Sequence, residues 1–172
     1  MRERIYNREL AVAYARKWAY ARNPAFYSFN ELGGDCTNFA SQCLYAGAGV
    51  MNYTPVFGWY YRSPSDRTAS WTGVEYLYEF LIGNRFVGPY GTEVSASEAR
   101  PGDLIQLARS DGDFYHTLVI LETAPDILVA SHSEDSLNRP LSSYRYAAAR
   151  FLQIVGVRDF GPPDTNEINR NL

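Results

Sequence analysis

Near residue 100 the apolar residues of this 172-residue chain change their spacing, and that switch limits the fold more than any single motif. Before it, they recur at the period of a helix. Ala11, Val12, Ala15, Trp18 and Ala19 form one stripe, and Asn7 stands where it can cap a helix running to about Arg22. "RNPAFYSFNELGGD" follows as a loop, broken by Pro24 and by Gly33 and Gly34. A second helix is expected from about Cys36 to Tyr45, ending at Gly47. "VMNYTPVFGWYYRSPSDRTAS" reads as irregular and aromatic, and "SWTGVEYLYEFLIGN" as a helix with Ser70 as its cap and Gly83 as its stop. After the switch, "GDLIQLA", "YHTLVILET" and "DILVASH" are short β-rich runs separated by turn residues, the pattern of an antiparallel meander. "RFLQIVGVRD" reads as a last strand. Helices first and about four strands after them predict an α+β domain, with N-terminal helices packed on one face of an antiparallel sheet of about four or more strands. The length suits one domain over residues 1–160, with 161–172 as a polar tail expected to be disordered.

Composition narrows the function by exclusion. A net charge of −3 leaves no cationic excess for nucleic acid or an anionic membrane. No apolar run approaches the roughly 20 residues of a membrane span. The opening "MRERIYNRELAVAYARKW" lacks the form of a signal peptide, because charges interrupt it. A complete chain of this kind would be cytoplasmic. A domain cut from a longer exported protein would look the same and act outside the cell or at the wall, so both localisations stay open. The oligomeric state is not legible.

The stretch "GGDCTNFASQCL", residues 33–44, carries both cysteines. On one helix Cys36 and Cys43 have Cα atoms about 10.5 Å apart at ~1.5 Å rise per residue. A disulfide tolerates no more than about 7 Å. Two ligands of one zinc ion would need i,i+3 or i,i+4 spacing on a helix, so i,i+7 argues against a metal. A nucleophile remains. Two glycines permit a tight turn into the helix, and Asp35 is a suitable N-cap. Cys36 then falls in the first turn, where free backbone N–H groups and the helix dipole stabilise a thiolate and can hold an oxyanion. Cys43, two turns on beside Phe39, Ala40 and Leu44, reads as a core residue. By itself Cys36 is equally readable as nucleophile or as core.

A thiol nucleophile needs a base, and the chain has only two histidines. His116 opens one apolar strand and His132 ends the next. If those strands pair around "TAPD", both rings meet at one sheet edge and serve one cleft. His116 is the expected base. His132 is the expected third member, fixing the His116 tautomer, with Asp135 and Asn138 as substitutes should the strand end early. Aromatic residues are plentiful, and Trp59, Tyr60, Tyr61 and Trp71 read first as packing and second as a cleft wall for peptide or sugar.

Together "YNRELAVAYARKWAYARNPAFYSF", "GGDCTNFASQCLYAGAGVM", "SWTG", "GDLIQL", "YHTLVI" and "SHSEDSLNRPLSSY" resemble the bacterial putative amidase domain family over residues 6–157. That family is distantly similar to NlpC-type and CHAP cell-wall peptidases of the papain-like cysteine hydrolase superfamily. "DCTNFASQCL" resembles the "DCSG" nucleophile motif of the NlpC type, with Asn38 where that motif has Gly. The resemblance implies a papain-like fold with Cys36 as nucleophile, His116 as base and His132 on the next strand as third residue. It also implies a polar oxyanion helper upstream of the cysteine, for which Asn30 and Tyr27 are the candidates. The activity implied is hydrolysis of an amide in a peptide or peptidoglycan stem through a thioester, a chemistry that needs no metal or organic cofactor. An acyltransferase or transglutaminase-like enzyme would use the same dyad, and a non-catalytic cell-wall binding module would keep only the scaffold.

Overall fold

The structure is a computed structural model and describes residues 1–161, so the expected disordered tail, 161–172, lies outside the described residues except for Gly161. Helix α1 spans Arg8–Trp18, and Asn7 caps it by accepting the Leu10 N–H at 3.0 Å. It ends four residues before Arg22, because the Trp18 carbonyl turns to the Ala21 N–H and the chain leaves toward Pro24. Ala11, Ala15 and Ala19 are buried as the stripe predicts, joined by Tyr14, while Val12 and Trp18 are half-buried at its margin.

Helix α2 spans Cys36–Ala48 and is buried along nearly its whole length. Gly47 does not stop it. The stop is Gly49, whose left-handed φ of 68° lets its N–H return to the Tyr45 carbonyl at 2.7 Å. Gly47 is instead the place where α1's approach meets α2: a Cβ there would lie 2.3 Å from a Tyr6 ring carbon and 2.7 Å from the Asn7 carbonyl oxygen. Gly47→Ala is therefore expected to lower stability by roughly 1–3 kcal/mol through overpacking, against the usual helix preference for alanine. A thermal melt checks this, and a rise in Tm would refute the close approach.

The segment expected to be one helix from Ser70 divides in two. Thr68 precedes α3, Ala69–Thr72; Gly73 breaks the chain; α4 follows over Val74–Gly83. Ser70 lies inside α3, and its hydroxyl donates to the Gly58 carbonyl at 2.6 Å instead of capping a helix. Before α3 the aromatic segment forms a small hairpin of β2, Tyr61–Ser63, and β3, Asp66–Arg67.

The main sheet has seven strands, all antiparallel: β1 (Arg2–Arg4), β4 (Gly88–Val94), β5 (Leu104–Ala108), β6 (Phe114–Glu122), β7 (Leu128–Ser131), β8 (Ser136–Pro140) and β9 (Ala148–Asp159). β5, β6 and β7 form the expected meander, and β8 extends it. β9 does not continue that order. It returns to β5, with β4 along its other edge and β1 at its far end. Side-chain alternation sends Leu104, Val119, Ala130 and Leu152 into the large core beneath the helices. Ile105, Leu107, Leu118, Ile120 and Val129 point to the opposite face and build a smaller core with Ala99 and Leu141. The protein is thus α+β, with its helices on one face of an antiparallel sheet.

Candidate active site

Cys36 occupies the first turn of α2, and the chain reaches it through Gly33 and Gly34 at φ values of 95° and 111° that L side chains rarely adopt. Asp35 fills the cap position, but its side chain makes no cap hydrogen bond to the helix. It is fully buried, and its oxygens accept from the Phe29 N–H at 2.7 Å and from Asn38 Nδ2 at 2.8 Å. His132 Nδ1 meets the other oxygen at 2.6 Å. Burial pushes this carboxyl up, but the His132, Phe29 and Asn38 hydrogen bonds outweigh it and hold Asp35 below the usual carboxylate range. Asp35 therefore ties the incoming loop, α2 and the segment after β7 into one rigid corner. The Asp35 N–H closes that corner by donating to Ser133 Oγ at 2.7 Å.

The thiol itself points at β6. The β6–β7 ladder ends at the Val119–Ala130 pair, and the next outward-facing N–H, that of Thr117, hydrogen-bonds the Cys36 sulfur. Thr37 Oγ1 meets Thr117 Oγ1 at 2.9 Å and pins the helix start to the strand. Burial pushes the Cys36 thiol up, with the Thr117 and Thr37 hydrogen bonds partly opposing it. One residue before Thr117, His116 is largely buried, and burial together with the charge of Arg139 lowers it from 6.5 to about 4. Cys36 and His116 both line one cleft of about 720 Å³, with Gly34, Tyr115, Arg139 and Tyr144 around them. Both shifts favour the uncharged forms, a thiol and a neutral imidazole lining the same cleft.

Several residues expected at the site lie elsewhere. His132 does not meet His116. Its ring stacks on Phe39 with centroids 4.0 Å apart, and its nitrogens are taken by Asp35 and by the Trp18 carbonyl at 2.8 Å. The two histidines follow strands of different reach, so one faces the cleft and the other the core. Asp135 also points away, binding Arg22 through two 3.0 Å hydrogen bonds. Asn138 accepts from Arg16 at 2.8 Å on the exterior. Asn30 is exposed, and Tyr27 is 46% exposed with its carbonyl held by Asn38; neither lines the cleft. Trp59 and Trp71 are fully buried and packed together at 4.8 Å, Tyr61 is buried beside them, and Tyr60 is half-buried over Asp66. All four serve packing. Cys43 is fully buried in the large core.

Other parts of the quoted motifs acquire roles that spacing did not reveal. Asn38 joins Tyr27, Asp35 and the Trp71 indole, which donates to it at 2.9 Å. In "PGDLIQL", Asp103 is a buried anchor that binds Arg8 at 2.6 Å and accepts the Ile154 N–H at 2.9 Å. Arg139 and Tyr144 were missed as cleft residues, although both lie in the run "SHSEDSLNRPLSSY". The available cue was their position on the strand and turn that follow the hairpin carrying His116.

A family model described as "Putative amidase domain" matches residues 5–155. The chain is also 38% identical over 120 residues to "Uncharacterized protein YhbB" of Bacillus subtilis (strain 168), covering 67% of this chain. It spans 37% of the length of that curated relative. No solved structure matches it. With 151 consecutive residues inside the family model, from the start of α1's approach to most of β9, the chain belongs to the putative amidase domain family.

Proposed function

We propose that this protein is a cysteine-dependent amidase of papain-like design, with Cys36 as nucleophile and His116 as general base and acid. The observation that carries the reading is that Cys36, at the start of a buried helix, and His116 line the same cleft. Membership of the putative amidase domain family supports amide hydrolysis as the reaction. The cysteine mechanism is our own reading.

In this scheme His116 takes the thiol proton as Cys36 Sγ attacks the carbonyl carbon. The developing oxyanion is held by the Cys36 backbone N–H at the positive end of α2. His116 then gives its proton to the departing amine, leaving a thioester. Water, deprotonated by the same imidazole, attacks that thioester and releases the acid. His132 is outside this sequence: it positions the nucleophile by holding Asp35, the residue before Cys36. The substrate we infer is a peptide or a peptidoglycan stem.

The test is to incubate wild type and Cys36→Ala with digested cell-wall peptides and follow new amino groups by mass spectrometry. Release by wild type alone supports the reading. Equal release by both proteins, or iodoacetamide labelling that fails to distinguish Cys36 from buried Cys43, would remove Cys36 from the mechanism.

A further inference from the structure

The charge on the cleft wall bears on what the cleft can accept. Arg139, at the end of β8, lies flat over the Tyr144 ring, with Cζ 3.6 Å from its centroid. Its Nε donates to Ser143 Oγ at 2.9 Å, which fixes the direction of the guanidinium plane. The two terminal nitrogens are poorly used. One lies 3.4 Å from the Ser143 carbonyl and the other 3.8 Å from Glu134, whose side chain is 90% exposed. A stacked, oriented guanidinium whose terminal nitrogens each hold only one long contact keeps donor capacity for a carboxylate.

This arginine stands beside the proposed dyad. Tyr144 separates it from His116, whose ring centroid is 6.0 Å from that of Tyr144. The 3.6 Å and 6.0 Å separations laid end to end bound the distance from guanidinium to imidazole. At ~3.3 Å per extended residue, that is at most about three residues of peptide. Arg145 lines the same cleft and carries no side-chain hydrogen bond or ion pair among the described residues. Against these two cations the cleft wall offers one carboxylate, the exposed Glu134.

We propose that the cleft selects an anionic substrate, one bearing a free carboxylate no more than about three residues from the amide that is cut, and that Arg139 is the residue that reads this charge. The inference rests on Cys36 and His116 being the reacting pair and specifies what they act upon. It also couples recognition to chemistry. Burial and then the Arg139 charge depress the basicity of His116, so a carboxylate seated on Arg139 cancels part of that depression. An anionic substrate thereby strengthens the base that its own cleavage requires.

Two alkylating agents of similar size and opposite demand on the site provide the test. Each forms a C–S bond at Cys36 with loss of iodide, the thiol proton passing through His116 to solvent; iodoacetate carries a carboxylate and iodoacetamide does not. The rate ratio of iodoacetate to iodoacetamide at Cys36 is expected to exceed the ratio at a small uncharged thiol by on the order of tenfold at low salt, and to fall as salt rises. Arg139→Gln should return the ratio to the reference, Arg139→Lys should retain part of it, and a melting curve for each variant verifies folding. A wild-type ratio equal to the reference, or one unchanged in Arg139→Gln, overturns the proposal. Failure of the dyad reading looks different: both reagents would then react at Cys36 with rates indifferent to His116.

Discussion

Replacing His116 with alanine is expected to slow acylation of Cys36 by on the order of 10²–10⁴-fold, the usual contribution of a positioned general base. The reason lies in the resting state. Burial pushes the Cys36 thiol up, and burial with Arg139 lowers His116 to about 4, so neither group carries its reactive charge beforehand. The proton must move during the attack. With p-nitrophenyl acetate as acyl donor, wild type should show a rate that falls below about pH 4, where His116 becomes protonated, and is level above it until the thiol itself ionises. The alanine variant has only thiolate formed by solvent, so its rate should climb about tenfold per pH unit through neutrality. A wild-type profile that climbs in the same way would eliminate His116 as the base. Absorbance of a thiolate at neutral pH in the resting protein would likewise contradict the uncharged pair.

The same shift has a sign for stability. A histidine lowered by folding binds its proton more readily in the unfolded chain between 6.5 and about 4. Stability contributed by keeping His116 neutral is therefore present at neutral pH and lost as pH falls through that window, by roughly 3 kcal/mol. Urea unfolding at pH 7 and near pH 4 should show a smaller acid loss in the alanine variant than in wild type.

The second large effect concerns His132. His132→Leu is expected to destabilise the fold by about 2–3 kcal/mol, because the fully buried Asp35 carboxylate loses its imidazole partner and keeps only the Phe29 N–H, Asn38 and the Arg22 guanidinium 3.5 Å away. For a chain of this length that corresponds to a fall in Tm on the order of 10 °C. Leucine keeps apolar volume against Phe39, so the loss reports mainly the missing hydrogen bond. Asp35→Asn in the same background should recover part of the loss, since the amide carries no charge to strand. If His132→Leu melts like wild type, Asp35 does not depend on it. The folded remainder of the variant carries a second readout. A positioning role leaves the break near pH 4 in the acylation profile, whereas a catalytic partner of His116 would move it.

How much of this was legible beforehand follows from the range over which each interaction acts. The helix at Asn7, the helix at Cys36 and the strands bearing His116 and ending at His132 depend on neighbours a few residues away, and period and capping reveal such contacts. The separation of Cys36 from Cys43 was legible for the same reason, since a helix fixes their spacing. Gly47 suits a helix end as well as Gly49 does; only the packing of Tyr6 and Asn7 against Gly47 and the left-handed φ of Gly49 decide between them.

The fate of the two histidines could not be read that way. His116 lies near the start of β6 and His132 just past the end of β7, and the sequence carries no mark of where the β6–β7 ladder stops. That stop lets the Cys36 sulfur take the Thr117 N–H beside His116, while the chain beyond β7 turns His132 inward to Asp35. Trp59 and Trp71 were ambiguous for a similar reason, because an aromatic loop looks alike whether it walls a cleft or fills a core. The sequence by itself determined the α+β class, the helical start that carries Cys36, and the core role of Cys43, all from local periodicity. Tertiary structure alone decided which histidine shares a cleft with the thiol, which one braces the residue before it, and which arginines border the cleft, because those choices depend on contacts between segments roughly 80 to 100 positions apart.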